Sequence, residues 1–125
     1  MHLPAERWQE SSEYQRGVDL YNGGHPWEAH EVWESLWLAA RAAGDERQRE
    51  FLQGLIQCAA AGVKAGEGKR ASCRKLAARG LARLELIPGV YMGLDVPAFV
   101  AAFAAWAAAD AGAPPPIRLA AQIER

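Results

Sequence analysis

The sequence predicts an all-α fold: one domain over residues 1–125, built as a bundle of about five helices with antiparallel neighbours and an extended, proline-rich C-terminal tail. The chain has 125 residues, which is the length of one domain that can bury its own core. Half of the residues are hydrophobic, and Ala, Leu, Arg and Glu dominate over β-branched types. Apolar residues recur at helical spacing, and no segment alternates as a half-buried strand does. We therefore predict no strand.

Turn-forming and capping residues set the limits of the helices. Pro26 is suited to a first helical turn, and Gly44 is suited to the position just after a helix end. Asp45, with Gln48 three residues on, resembles a capping box, and Asp95 is a good N-cap. The short connections favour antiparallel neighbours. The predicted helices cover residues 6–21, 26–43, 46–65, 69–86 and 95–109.

The tail, residues 112–125, begins with three prolines at 114–116, which force an extended path. Residues 114–119 are predicted to be extended and docked, with a mobile tail over 112–125 as the alternative. Ile117 and Leu119 could pin this segment onto the domain or onto a second subunit.

Charge and composition narrow the function classes. The net charge is −1, but residues 1–62 hold five Lys/Arg against ten Asp/Glu, and residues 63–86 hold seven against two. This polarity could steer self-association or an anionic ligand, and a homodimer is one candidate assembly. A nucleic-acid partner is not expected, since the basic residues lack interleaved aromatics and a recognition motif.

Nothing in the sequence indicates a membrane or secreted protein. No apolar run approaches the roughly 20 residues of a membrane span, and the N-terminus lacks the pattern of a signal peptide. We expect a cytoplasmic protein in which Cys58 and Cys73 are buried free thiols.

The segment 22–37 carries the most distinctive chemistry, with three tryptophans, two histidines and three glutamates. Ala29, Val32, Leu36 and Ala40 form the expected core stripe of the second helix. On the opposite side the helical spacing gathers large rings together with polar groups that can converge on one point. Two glutamines of the third helix either face solvent or reach into a polar pocket shared with His30 and Glu34. The candidate pocket residues are Trp27, His30, Glu31, Glu34, Trp37, Gln53 and Gln57.

Three interpretations of this cluster are open: a buried polar network, a ligand or partner pocket, and a metal or catalytic site. We expect a partly buried His30 paired with Glu31 or Glu34, beside Trp27 or Trp37. The chain contains no Glu-x-x-His, which excludes the di-iron carboxylate pattern. We predict no metal and no cofactor.

Four motifs resemble those of the domain of unknown function 309 family, small all-helical proteins of bacteria and archaea. The motifs are Gly17-x-x-Leu-Tyr-Asn22, Trp27-Glu-Ala-His-Glu31 with Glu34 and Trp37, Phe51-Leu-Gln-Gly-Leu-Ile-Gln57, and Tyr91-x-Gly-Leu-Asp95. The resemblance implies a bacterial or archaeal helical bundle and implies no activity. Lys64 stands where relatives can carry a histidine, which argues against a metal site.

Two functional hypotheses follow. We favour a non-enzymatic module that binds a protein segment or a small-molecule ligand, because the aromatic surface comes without an activated nucleophile or a phosphate loop. The alternative is a metal-assisted or acid/base hydrolase in which His30 is the base or a ligand and Glu31 or Glu34 assists it.

Overall fold

The computed structural model describes residues 2–109 and 112–119, and within these ranges helices follow one another through short turns. A 3-10 helix covers Ala5–Glu10, and the α-helices are α1 (Ser12–Asn22), α2 (Pro26–Ala43), α3 (Glu46–Gly66), α4 (Arg70–Leu84) and α5 (Val96–Ala109). A short antiparallel hairpin pairs β1 (Val90–Tyr91) with β2 (Leu94–Asp95). The all-α prediction is confirmed.

Helix α3 is the centre of the bundle. It packs against α2 on one side and α4 on the other, while α1 packs on α2 and α5 packs on α4. Glycines allow α3 and α4 to approach closely: a Cβ at Gly80 would lie 2.9 Å from the carbonyl oxygen of Gly54 and 3.1 Å from Cys58 Sγ. The largest fully buried side chains lie around this axis and include Trp33, Tyr14, Phe51, Phe103, Leu52 and Leu55.

The predicted limits of α2 are confirmed, since the helix begins at Pro26 and ends at Ala43. Gly44 has φ +73°, the left-handed conformation that glycine adopts without strain at a helix end. Asp45 then caps α3, because its Oδ1 accepts a hydrogen bond of 3.2 Å from the backbone N–H of Gln48.

The prediction of one continuous first helix over 6–21 is wrong. The chain leaves helical geometry at Ser11, where φ is −91° and ψ is 97°. Ser11 Oγ accepts a hydrogen bond of 3.2 Å from the backbone N–H of Tyr14, so this serine starts a new helix. The described part of the chain therefore has six helices where about five were predicted.

The prediction that no strand forms is also wrong, at residues 90–95. Met92 and Gly93 both have positive φ, at 48° and 82°, and two such residues in succession make the tight turn that closes a two-residue hairpin. Trp8 packs against this turn, since a Cβ at Gly93 would lie 2.6 Å from its Cζ2. A methionine in the left-handed region gives no turn signal in the sequence.

Residues 112–119, called the strap here, run along the bundle without helix or sheet of their own. Tyr21 Oη donates a hydrogen bond of 2.8 Å to the carbonyl oxygen of Pro115. The Asn22 side chain donates to the carbonyl oxygen of Ile117 and accepts from its N–H, both at 2.8 Å. With Ile117 only 2% exposed, the strap is docked onto the domain in the way predicted for 114–119.

The two ends of the strap are also held. Trp106 Nε1 donates a hydrogen bond of 2.9 Å to the carbonyl oxygen of Gly112, and Leu119 forms an antiparallel bridge with Leu94. The rest of the predicted tail, residues 120–125, lies outside the described residues.

Both cysteines are buried and neither forms a disulfide, as predicted. In the described ranges, no helix combines the length and the apolar character needed to cross a membrane. The cytoplasmic location stays a prediction.

Candidate functional site

The buried face of α2 differs from the predicted stripe at one position. Ala29, Leu36 and Ala40 are buried as predicted, but Trp33 is fully buried in place of Val32, which is only half-buried. The indole fits because Gly17 of α1 has no side chain: a Cβ there would overlap Trp33 Nε1 and lie 2.6 Å from its Cδ1. The sequence signal was the unexplained glycine inside an amphipathic helix.

On the other side of α2, His30 is half-buried and stacks on Trp27, with ring centroids 5.1 Å apart and an interplanar angle of 21°. His30 Nδ1 is buried and has no hydrogen-bond partner. Glu31 and Glu34 are exposed, and in the described ranges no hydrogen bond or ion pair joins either to the imidazole. The expected pairing of His30 with a glutamate is therefore not present.

Two further candidate residues hold buried polar atoms without partners, namely Trp37 Nε1 and Gln57 Oε1. The Trp37 ring lies under the Arg41 guanidinium, whose carbon is 5.1 Å from the ring centroid. Gln53 is half-buried. These groups do not form a satisfied polar network, so the first of the three interpretations lacks support in the described residues.

Two of the seven candidate residues line concave surfaces in the described part of the chain, and each lines a different one. Trp27 lines the larger one, described below, and Gln57 lines a separate depression between α3 and α4. The single pocket expected to unite helix 2 with Gln53 and Gln57 is thus replaced by two surfaces. The binding role of the seven residues stays a prediction.

The larger surface is a cavity of about 470 Å³ at the end of the bundle where α2 begins and α3 ends. We call it the Trp27 cavity. Its apolar wall combines residues from three distant parts of the chain, and its few polar groups lie near the first turn of α2. The lining residues are Tyr21, Asn22, Gly24, His25, Pro26, Trp27, Glu28, Gly62, Val63, Gly66, Ala113, Pro114 and Pro116.

Two features shape this cavity. Gly62 leaves space on α3, since a Cβ there would only touch Pro26 Cβ at 3.6 Å and Pro114 Cγ at 4.0 Å. The strap supplies the opposite wall, and Tyr21 and Asn22 hold it in place. Sequence reasoning missed this site because its wall residues are far apart in the chain and carry no shared motif.

Two of the four family motifs contain residues with a clear structural role. Tyr21 and Asn22 of the first motif are used to fasten the strap. In the fourth motif, Gly93 makes the hairpin turn, and Asp95 Oδ1 accepts a hydrogen bond of 3.2 Å from the backbone N–H of Ala98. Both motifs therefore have structural roles.

The buried titratable groups are poor nucleophiles. Burial raises the pKa of the Cys58 thiol and of the Tyr14 and Tyr21 phenols, so all three stay protonated at neutral pH. Tyr14 uses its proton in a hydrogen bond of 2.9 Å to the carbonyl oxygen of Met92. In the described ranges, no group of three His, Cys, Asp or Glu side chains could hold a metal ion.

Replacing His30 by alanine is expected to lower the free energy of unfolding by about 1 kcal/mol or less. The substitution removes the stacking on Trp27, worth about 0.5–1.5 kcal/mol, but breaks no hydrogen bond. Urea unfolding measures the change, and exposed His25→Ala is the matched control. A loss above about 3 kcal/mol would show that His30 is part of a satisfied buried network after all.

The fold and the site together define the class of protein, which is a small helical domain with a cavity at one end of the bundle. The family model for the domain of unknown function (DUF309) matches residues 14–76, which is half of the chain. The chain belongs to this family. A comparison with curated proteins finds no match.

Proposed function

We propose that the protein is a binding module for a small, largely apolar organic molecule, and that this ligand occupies the Trp27 cavity. The observation that carries the proposal is the cavity itself, at about 470 Å³. Small-molecule sites are typically concave, mostly apolar and about 300–1,000 Å³ in volume.

The lining supports an aromatic or aliphatic ligand with one polar group. Pro26, Val63 and Pro114 offer apolar surface, while Glu28 and the exposed His25 stand at the mouth. Trp27 is 55% exposed, so a ligand that covers its ring would remove a large apolar surface from water. One polar group at the mouth is enough to orient such a ligand.

The site is also formed in advance of binding. Its strap wall is held by the hydrogen bonds to Tyr21 and Asn22, and its α3 wall belongs to a continuous helix. Little conformational entropy is therefore lost on binding, which favours affinity for a small ligand. The hydrolase alternative gains no such support, because His30 has no carboxylate to orient it.

Substitutions that fill the Trp27 cavity or remove its exposed ring should weaken ligand binding. We expect indole and naphthalene fragments to bind the unaltered protein in ligand-observed NMR, and both Gly62→Leu and Trp27→Ala to weaken the best fragment by about tenfold or more. Gly62→Leu extends a side chain from the cavity wall, and Trp27→Ala removes the exposed ring.

Val90→Ala is the matched control, since Val90 is exposed but lies outside the cavity. Binding that is equal in all four proteins would disprove the assignment of the site. The absence of fragment binding at millimolar concentration would disprove the proposed function.

A further inference from the structure

A second surface is built from the outer sides of α2, α3 and α4, which lie side by side with α3 in the middle. A Cβ at Gly62 would lie 3.6 Å from Pro26 Cβ, so Pro26 marks the flank of α2 that faces α3. Next around α2 come exposed positions such as Glu34 and Leu38, which therefore point outward on the same side as Gln57 of α3. Arg79 and Leu86 border the same depression as Gln57. We call this surface the three-helix face.

Its two edges carry opposite charge. On α2, Glu28, Glu31 and Glu34 are exposed, and none forms an ion pair within the described ranges. On α4, Lys75 and Arg79 are exposed and likewise have no ion pair there. On the middle helix Gln53 and Gln57 separate the edges, and the charged residues Glu50 and Lys64 are already paired, with Arg83 and Glu67 respectively.

The edges are matched in height along the bundle. Pro26 of α2 lies beside Gly62 of α3, and the two helices are antiparallel. Counting five residues forward in α2 and five residues back in α3 therefore places Glu31 level with Gln57. Gly54 of α3 lies opposite Gly80 and the Leu84 side chain of α4. Gln57 is three residues further along α3, and α4 runs the other way, so Gln57 is level with residues 77–81 of α4, which are centred on Arg79. Glu31 and Arg79 are therefore at one level on opposite edges.

The same residue counts place Leu38 level with the C-terminal end of α4, and Leu86 lies in the turn two residues beyond that end. Both leucines are strongly exposed, at 50% and 68%. Each edge thus presents a charge and, toward the same end of the bundle, a large apolar side chain.

We propose that the three-helix face binds a second copy of this chain in an isologous dimer. A twofold axis parallel to α3 and in front of it would lay α2 of each copy on α4 of the other without changing heights. Glu31 then meets Arg79 of the second copy, Leu38 meets Leu86, and both contacts occur twice. The two Gln57 side chains meet at the axis, where each amide can pair with the other.

The size and charge of the face fit this occupant. Helices of 18, 21 and 15 residues are about 27, 31 and 22 Å long, and three such helices about 8–10 Å apart give a face of roughly 700 Å². Stable interfaces bury about 800 Å² on each partner. A nucleic acid fits less well, because the row of glutamates on the same face would repel its phosphates.

Charge reversal tests the dimer. Sedimentation velocity at low salt should give twice the monomer mass of 13.6 kDa. Glu31→Lys and Arg79→Glu should each weaken association by about tenfold or more, since two attractive contacts become repulsive. An equimolar mixture of the two variants should recover the dimer, because each heterodimer then contains only opposite charges at both contacts. Glu13→Lys, with the same charge change on exposed α1, is the control.

Either of two results would overturn the proposal: a monomer at high micromolar protein, or a dimer that both reversals leave intact. Circular dichroism of the same variants shows that they are folded. Neither Glu31 nor Arg79 lines the Trp27 cavity, so the dimer test does not depend on the outcome of the ligand-binding test.

Discussion

Replacing Gly17 by alanine is expected to lower the free energy of unfolding by about 3 kcal/mol, the largest effect of any single methyl group that we expect in this chain. The added Cβ would overlap Nε1 of Trp33 and lie 2.7 Å from its Cε2, and this indole is fully buried. The ring cannot move aside easily, because its Nε1 donates a hydrogen bond of 3.3 Å to the carbonyl oxygen of Tyr14. Urea unfolding followed by circular dichroism measures the loss.

Gly66→Ala is the matched control for this substitution. Gly66 also lies in a helix, but a Cβ there has nothing within 4 Å, so the change should be neutral or slightly stabilising. In a Trp33→Leu background, Gly17→Ala should lose most of its effect, because the clashing ring is gone. Equal losses in both backgrounds would show that the helix approach, and not the indole, limits position 17.

Replacing Asn22 by alanine is expected to lower the free energy of unfolding by about 2 kcal/mol and to release the strap. The side chain makes two hydrogen bonds of 2.8 Å to the backbone of Ile117, and its loss leaves a buried N–H and a carbonyl group without partners. Amide exchange of Ile117 should accelerate far more than exchange in α3.

Asn22→Asp separates the two bonds, because a carboxylate can accept from the Ile117 N–H but cannot donate to its carbonyl oxygen. We expect a loss of similar size for this variant, together with slower Ile117 exchange than in Asn22→Ala. Unchanged exchange at Ile117 in both variants would show that the strap is held elsewhere, for example by Trp106 and Gly112.

Helix limits were predictable where local chemistry sets them. Pro26, Gly44 and Asp45 act on their immediate neighbours, so the sequence around them is sufficient to place the end of α2 and the start of α3. The break at Ser11 was missed because its signal is weaker, and the hairpin at Met92 because this residue gives no turn signal. A serine such as Ser11 can also lie inside a helix, and nothing in the residue type of Met92 indicates its positive φ.

The candidate site was less predictable because it depends on contacts between distant segments. Periodicity correctly placed Trp27 and Glu31 on the outer side of α2, but could not show that His30 would stack on Trp27 and leave Nδ1 unpaired. The Trp27 cavity needs residues near 24, 62 and 114 together. No spacing rule within one helix connects them.

The strap has a consequence for the order in which the molecule assembles. The pairing of Asn22 with Ile117 joins residues 95 positions apart, whereas α2, α3 and α4 meet through turns of a few residues. Closing so long a loop loses more chain entropy than forming a helical hairpin, so we expect the helices to pack first and the strap to dock last. Local opening should also begin at the strap, because the strap is the last part of the protein to fold. The strap forms one wall of the Trp27 cavity, so a ligand held in the cavity would slow this opening.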